Sequence, residues 1–192
     1  VYDVDGGVMY AIVKAGTEKP LTVGNVREFS SSIDYFATES VFVVKDKASL
    51  LDFASKAATL EKDVLFVNDV DMTGEDWTSI EGYANTVRGN GYAIKGLTAP
   101  LFGTTSASIK GLHLTDVNIN ETTLPIVGAF ARQITATDTV APIIEHCSAS
   151  GKITVNCTEY EPLEGSHVTI NVAGLVGYGL GTSFSDCKNN VE

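Results

Sequence analysis

The sequence predicts an all-β fold of stacked, similar coils, preceded by one amphipathic helix. The first observation is a degenerate phrase, in which a Gly-flanked apolar triplet is followed by a polar gap and a β-type run. This phrase recurs at 100–117, 126–155 and 172–191. The second is the glycine content, 18 of 192 residues, which is typical of tight turns between short strands. The third is that strand-like runs and turn signals fill the chain after a predicted helix at 47–60. Such repeats indicate units that stack on one another.

The composition is that of a folded, acidic protein, with 44% hydrophobic and 19% charged residues. The net charge of −11 argues against nucleic acid or an anionic membrane as partner, because both need clustered Lys and Arg. Three scattered cysteines do not make a disulfide scaffold, and none forms a CxxC pair for zinc. No apolar run approaches the roughly 20 residues that span a bilayer. We therefore predict no cofactor, no metal, no nucleic-acid partner and no transmembrane segment.

Residues 1–40 are predicted to be a strand-rich extension, either separate or part of the same domain. Two short strands, at 6–16 and 20–26, are expected around a turn at 17–20. Asp3 and Asp5 precede two glycines, which favours a solvated turn over a calcium loop because the other ligands of an EF-hand are missing. The chain opens at a valine, so we expect a processed or trimmed form whose export signal is out of view.

The predicted helix at 47–60 follows a short strand at 41–45 and begins at a polar cap. Asp46 or Ser49 can serve as the N-cap, and Ser49 with Asp52 fits the spacing of a capping box. A wide apolar stripe at helical spacing predicts burial of one face. The stripe consists of Leu50, Leu51, Phe53, Ala54, Ala57, Ala58 and Leu60.

The segment between the helix and the repeats is predicted to be strand and turn. A single strand at 64–72 ends in acidic residues, and later β-type runs are broken by a turn at 89–91. Trp77 is expected to be buried near the first coil. We therefore place a first coil here, ahead of the recurring phrases.

Aligning the three phrases on their second strand predicts which residues stack. One column holds Ile109, Ile144 and Phe184, and another holds Leu112, Cys147 and Cys187. The second column is expected to form an inward ladder, because buried free cysteine behaves as a small hydrophobe rather than as a reactive thiol.

Two polar columns follow from the same alignment. One holds Gly111, His146 and Asp186, and the other holds Lys110, Glu145 and Ser185. A Lys110–Glu145 surface ion pair is expected to contribute roughly 0–1 kcal/mol. His146 near Asp186 is the most chemically suggestive pairing, but no Ser, Cys or second acid aligns with it. A surface histidine is therefore the favoured interpretation.

These phrases resemble the GLUG-type repeats of right-handed parallel β-helix proteins, found on the surfaces of Bacteroides-like gut bacteria and in some adhesins. The resemblance covers about three-quarters of the chain. It lies in a helix, strand, D-x-D turn and Trp at 48–80, the GNG to LFG passage at 89–103, and AGLVG at 173–177 followed by DCKN. It implies a right-handed parallel β-helix over 41–192, with the helix at 47–60 as a lid. The sequence departs from the pattern at 127–131, where an irregular middle coil is expected.

The resemblance implies a non-enzymatic, adhesin-like binding module at the cell surface or secreted, with a glycan or protein as ligand. Exposed aromatics are the usual platforms of glycan binders. Tyr160, in an acidic loop at 158–167, and Tyr178, after the last AGLVG, are the candidate ligand-binding residues. No catalytic residue is predicted.

Two alternatives remain open. A polysaccharide lyase or glycoside hydrolase on a β-helix needs a basic residue or paired carboxylates. The Asp69–Asp71 and Asp116–Asn118 pairs have strand spacing, but Arg88 and Arg132 lack an evident acidic partner in register. The other alternative is a structural spacer of a larger surface protein. The last coil has no visible cap, so further coils or a packed partner are expected at that end.

Overall fold

The computed structural model describes residues 2–5, 8–11, 41–157 and 170–192, and these are mostly strand. At the start of the chain, β1 (Tyr2–Asp5) pairs antiparallel with β2 (Val8–Ala11). β2 lies inside the predicted strand at 6–16, whereas β1 was not predicted. The predicted strand at 20–26 and the turn at 17–20 lie outside the described residues.

The remaining strands form three parallel sheets and one small parallel pair. The first sheet contains, side by side, β3 (Val41–Val44), β4 (Asp63–Phe66), β6 (Val87–Arg88), β9 (Ile109–Lys110), β13 (Ile143–Glu145) and β17 (Ser183–Ser185). The second contains β5 (Val70–Asp71), β7 (Ala93–Lys95), β10 (His113–Glu121), β14 (Ser148–Val155) and β18 (Lys188–Val191). The third contains β8 (Phe102–Thr105), β12 (Ala131–Thr135) and β16 (Val176–Leu180), and β11 (Ile126–Gly128) pairs with β15 (Asn171–Ala173). From β6 onwards the chain visits the first, second and third sheets in that order three times and then ends with β17 and β18, whereas β5 is followed directly by β6 of the first sheet.

The predicted alignment of the recurring phrases is confirmed by the strand register. Ile144 pairs with Ile109 on one side and with Phe184 on the other. Leu112 and Cys147 are buried, while Cys187 is half-buried because it belongs to the last coil. These neighbours bury one another because a single strand has no other way to cover its inner face.

The expectation of an irregular middle coil at 127–131 is wrong. The amide of Phe130 donates to the carbonyl of Leu175 at 2.8 Å, and the amide of Phe102 donates to Phe130 at 2.8 Å. Ala129 and Ala131 flank Phe130, and all three are buried. One large side chain between two small ones fills the core there without disturbing the register.

The helix is confirmed as α1 (Lys47–Lys56), which continues into a 3-10 turn at Ala57–Thr59. Asp46 is the N-cap, and its Oδ1 accepts from the Ser49 amide at 2.8 Å. Ser49 Oγ in turn accepts from the Asp46 amide at 3.0 Å, so the capping box joins Asp46 to Ser49. The predicted box of Ser49 with Asp52 is wrong, since Asp52 instead forms an ion pair with Lys56.

The apolar stripe of α1 is narrower than predicted. Leu50 and Phe53 are buried, whereas Leu51 is 44% exposed and Ala58 is also exposed. The Phe53 ring packs edge-on against Tyr83 at a centroid distance of 5.0 Å and lies 6.5 Å from the ring of Phe102. Thus α1 packs on the side chains of the first coil. Among the described residues, no helix has the length and apolarity to cross a membrane.

The single strand predicted at 64–72 is wrong, because the run divides into β4 and β5 in two different sheets. Two side chains stabilise the corner between them. Asn68 Nδ2 donates to the carbonyl of Lys45 at 3.2 Å, and Asp69 Oδ1 accepts from the Ala93 amide at 2.8 Å. Trp77 is buried as predicted, and its Nε1 donates to the carbonyl of Pro100 at 3.1 Å.

Candidate ligand-binding face

The outer face of the third sheet holds one of the two predicted ligand-binding residues. Tyr178, on β16, is 41% exposed and pairs in register with Gln133 on β12. Gln133 pairs in turn with Thr104 on β8. A phenol, an amide and a hydroxyl therefore lie side by side on three neighbouring strands, and we call this row the binding face. Tyr160 lies outside the described residues.

Two cavities adjoin the binding face. The first, of about 130 Å³, is lined by Thr104, Leu124, Pro125, Ile126, Arg132 and Gln133. The second, of about 240 Å³, is lined by Gly82, Thr104, Thr105, Ser106, Thr135, Ala136 and Thr137. Thr104 belongs to both cavities. Gln133 Nε2, in the lining of the first cavity, donates to Thr135 Oγ1, in the lining of the second, at 3.0 Å. The sequence did not indicate these cavities, because their linings come from segments far apart in the chain.

Arg132, at the edge of the first cavity, is paired with an acid, contrary to the prediction. Its Nη2 contacts Glu81 Oε1, and its Nη1 lies 3.5 Å from Ser79 Oγ. Glu81 Oε2 also accepts from the Thr104 amide at 2.7 Å. The sequence alignment missed the pair because Glu81 lies in the first coil, ahead of the recurring phrases.

Arg88 also has an acidic partner, again contrary to the prediction. Its Nη2 lies 3.2 Å from Asp63 Oδ2 on the neighbouring strand β4. Arg88 is only 3% exposed, so this ion pair is part of the interior. An arginine held there has no access to a substrate and is not placed to abstract a proton from one.

The far wall of the first cavity is held by Glu121. Its Oε1 accepts from the amides of Thr123 and Leu124, both at 2.9 Å, and from Thr123 Oγ1 at 2.8 Å. Partial burial raises the pKa of Glu121, but these hydrogen bonds outweigh it and hold the pKa below its usual value. The carbonyl of Pro125 accepts from the Asn171 amide at 2.7 Å, which ties this wall to the next coil.

Two of the carboxylates considered for hydrolase or lyase chemistry accept hydrogen bonds from backbone amides, and the third is exposed. Asp69 accepts from Ala93, as described above, and Asp71 Oδ1 accepts from the Thr73 amide at 2.8 Å. The hydrogen bonds from Thr73 lower the pKa of Asp71. Asp116 lies at a bulge in β10 and within 3.7 Å of Lys95 Nζ. Asp69 and Asp71 therefore have structural roles, whereas Asp116 is an exposed carboxylate beside an exposed lysine.

The corner between the first and second sheets carries the two predicted polar pairings, and both are confirmed. Lys110 Nζ lies 3.1 Å from Glu145 Oε1, and His146 Nε2 lies 3.4 Å from Asp186 Oδ2. His146 and Asp186 are highly exposed and adopt left-handed φ values of 53° and 50°. Gly111, in the same column, has φ 59°. The column therefore marks a repeated left-handed corner.

One polar pair on the second sheet was missed. His113 Nδ1 lies 2.9 Å from Ser148 Oγ, on neighbouring strands. The sequence signal was present, since each residue directly follows its ladder residue, Leu112 or Cys147. A catalytic pair needs a third group that orients the base. In the ranges that the structure describes, no carboxylate contacts the His113 ring.

Burial raises the pKa of the Cys147 thiol to about 12, which suits a core residue and opposes nucleophilic reactivity. Within the described part of the chain, no three His, Cys, Asp or Glu side chains are grouped to hold a metal ion.

No protein-family model, no curated protein and no solved structure matches this chain.

Proposed function

We propose that this chain is a non-enzymatic, adhesin-like binding module of a cell-surface or secreted protein that recognises a glycan or protein ligand. The observation that carries the proposal is the exposed ring of Tyr178 in register with Gln133 and Thr104, two residues that line the adjoining cavities. A tyrosine offers an apolar ring and a polar hydroxyl together. A few polar groups beside apolar walls are the usual composition of a site that orients a ligand.

The proposed fold is a right-handed parallel β-helix of the GLUG type. The repeated order of first, second and third sheet from β6 onwards supports it, as does the parallel pairing within each of those sheets. Handedness follows from the general rule that crossovers between parallel strands are right-handed in about 98% of cases. The surface location rests on the resemblance to GLUG-type proteins alone.

A ligand screen with matched variants tests the binding role. We would probe arrays of glycans and of extracellular matrix proteins with the purified chain, with and without calcium. Tyr178→Ala should lower saturable binding about thirtyfold or more, since truncating an aromatic hot-spot residue costs about 2 kcal/mol or more. Leu51→Ala is the control, because Leu51 is 44% exposed on α1 and belongs to neither the row nor the cavity linings.

Equal binding by wild type and Tyr178→Ala would contradict the binding role of this face. Turnover of a polyuronate to an unsaturated product would instead support the lyase alternative, and release of reducing sugar would support the hydrolase alternative.

A second candidate function, a structural spacer, is favoured by the exposed apolar side chains of the last coil. These are Ile170, Val172, Leu180 and Phe184. Phe184 continues the column in which Ile109 and Ile144 are fully buried. We propose that further coils of the same kind cover this edge.

Wild-type protein should then bind a hydrophobic dye and self-associate in sedimentation, and the double variant Leu180→Glu with Phe184→Glu should reduce both dye binding and self-association. A monomeric wild type without dye binding would contradict it.

A further inference from the structure

We propose that the binding face takes two consecutive units of a neutral oligosaccharide, one in each of its two cavities. The inference rests on the proposed binding role and specifies its ligand class and smallest ligand. Three features of the face carry it: the division of the space, the chemistry of each half, and the neutralised charges.

The space beside the binding face is divided into two adjoining compartments. The cavities measure about 130 and 240 Å³ and share Thr104. Each is smaller than the roughly 300 Å³ at which typical ligand pockets begin, and only the two together reach that size. A ligand of two linked rings would therefore fill the face better than a single ring.

Both compartments combine apolar surface with a few polar groups. The first has an apolar wall at 124–126 together with the polar ends of Arg132 and Gln133. The second is mostly apolar, and the hydroxyl-bearing side chains Thr104, Ser106 and Thr135 belong to its lining. Sugar rings have apolar CH faces and hydroxyl edges, so both surfaces suit them.

Thr104 is the residue that joins the compartments. It is exposed, and among the described residues its hydroxyl has no hydrogen-bond partner. Its backbone is held in place, because its amide donates to Glu81. A fixed backbone with a free hydroxyl is suited to contact the linkage between two ligand units.

The charges at the face are already paired, which selects an uncharged ligand. Arg132 is bound to Glu81, and Glu121 is occupied by the amides of Thr123 and Leu124. The second cavity has no charged side chain in its lining. A uronic acid would have to displace Glu81 from Arg132 and approach a chain of net charge −11. A neutral sugar does not have to displace Glu81 and is not repelled by the net negative charge.

The experiment is calorimetric titration of the full chain with matched gluco-, manno- and xylo-oligosaccharides of one, two and three units. For the series that binds, the disaccharide should bind about tenfold tighter than the monosaccharide, and the trisaccharide within about threefold of the disaccharide. Digalacturonate should bind at least about tenfold more weakly than the neutral disaccharide.

A matched pair of variants tests the residue that joins the cavities. Thr104→Val keeps the side-chain shape but removes the hydroxyl, so disaccharide affinity should fall about three- to tenfold. Thr154→Val is the control, because Thr154 is exposed on β14 of the second sheet. Circular dichroism would establish that both variants remain folded.

The outcomes separate this inference from the proposed function. Equal affinities for the monosaccharide and the disaccharide, or a higher affinity for digalacturonate, would overturn the inference. Either result would still leave a glycan-binding face. No binding of any neutral oligosaccharide would also overturn it. If a protein ligand then lost affinity with Tyr178→Ala, the proposed binding role would still stand.

Discussion

Single residues are constrained most tightly where backbones of neighbouring coils approach each other. A Cβ added at Gly128 would lie 2.5 Å from the Gly177 amide nitrogen and 2.7 Å from the Ala131 carbonyl oxygen. Both are backbone atoms of paired strands. A Cβ at Gly103 would instead meet the side-chain ends of Glu81 and Arg132, which are able to move.

Gly128→Ala should therefore destabilise the protein much more than Gly103→Ala. We expect a loss of about 1–3 kcal/mol at Gly128, where backbone must shift. At Gly103 we expect about 1 kcal/mol or less, because the main loss is a partly exposed ion pair. Urea unfolding of the two variants measures the difference, and equal losses would contradict this account of the two glycines.

The left-handed corner gives a second prediction at this scale. His146 has φ 53°, a conformation that costs an L-residue roughly 1–2 kcal/mol but costs glycine little. His146→Gly and His146→Ala both remove the contact with Asp186, so their comparison isolates the backbone. We expect His146→Gly to be more stable by about 1 kcal/mol in thermal or urea unfolding. A more stable alanine variant would show that the corner is not strained there.

The accessibility of the thiols gives a third prediction about single residues. Cys147 is buried, whereas Cys157 and Cys187 are partly exposed. A thiol reagent at pH 8 should leave Cys147 unmodified in the native protein and label it only after denaturation. Mass spectrometry of the labelled peptides assigns the sites. Rapid native labelling of Cys147 would contradict the inward ladder.

At the scale of elements, α1 tests how an amphipathic helix is joined to the stacked coils. Leu50 and Leu51 are adjacent and chemically identical, yet only Leu50 is buried. Leu50→Ala should destabilise the protein by about 2–5 kcal/mol, and Leu51→Ala by about 0.5 kcal/mol or less. Chemical unfolding of both variants checks this. Similar losses would mean that a different face of the helix packs on the core.

The helix also shows how much local structure the sequence could predict. Its start at Lys47 follows from local patterns and was predictable, and the same patterns reduced the N-cap to Asp46 or Ser49. The exposure of Leu51 was not, because the apolar stripe is wide and the packing partners decide which part of it is covered. The corner between β4 and β5 was not predictable either, because contacts with distant parts of the chain decide where it lies. The apolar run continues through it, and its hydrogen bonds reach residues 23 and 24 positions away.

For the molecule as a whole, the sequence predicted the stacking register but little of the binding face. Equivalent columns such as Ile109, Ile144 and Phe184 repeat one local pattern, which an alignment detects. The Arg132–Glu81 pair spans 51 positions and lies partly outside the repeats, so no local pattern indicates it. Tyr178 was identified only as an aromatic near the last repeat.

Acid should destabilise the whole molecule through its hydrogen-bonded carboxyls. Hydrogen bonds from Ser49 lower the pKa of Asp46, those from Thr73 lower that of Asp71, and those from Thr123 and Leu124 lower that of Glu121. A carboxyl with a lowered folded pKa contributes its full stability above its unfolded pKa, near 3.8 for Asp and 4.5 for Glu. That stability is lost as the pH falls through the folded pKa.

We therefore expect little contribution to the pH dependence from these three groups above about pH 6, and a progressive fall in the melting temperature below about pH 4.5. Asp46→Asn keeps a capping oxygen but removes one titrating group, so its melting temperature should fall less steeply. An identical acid profile for wild type and Asp46→Asn would contradict the contribution assigned to Asp46.

Amide chemical-shift mapping of the ¹⁵N-labelled chain can locate ligand binding on the outer face of the third sheet. With a ligand found in the screens, we expect the largest shifts at Thr104, Gln133 and Tyr178, and at the walls of the adjoining cavities. Shifts confined to the second sheet, around His113 and Ser148, would contradict it.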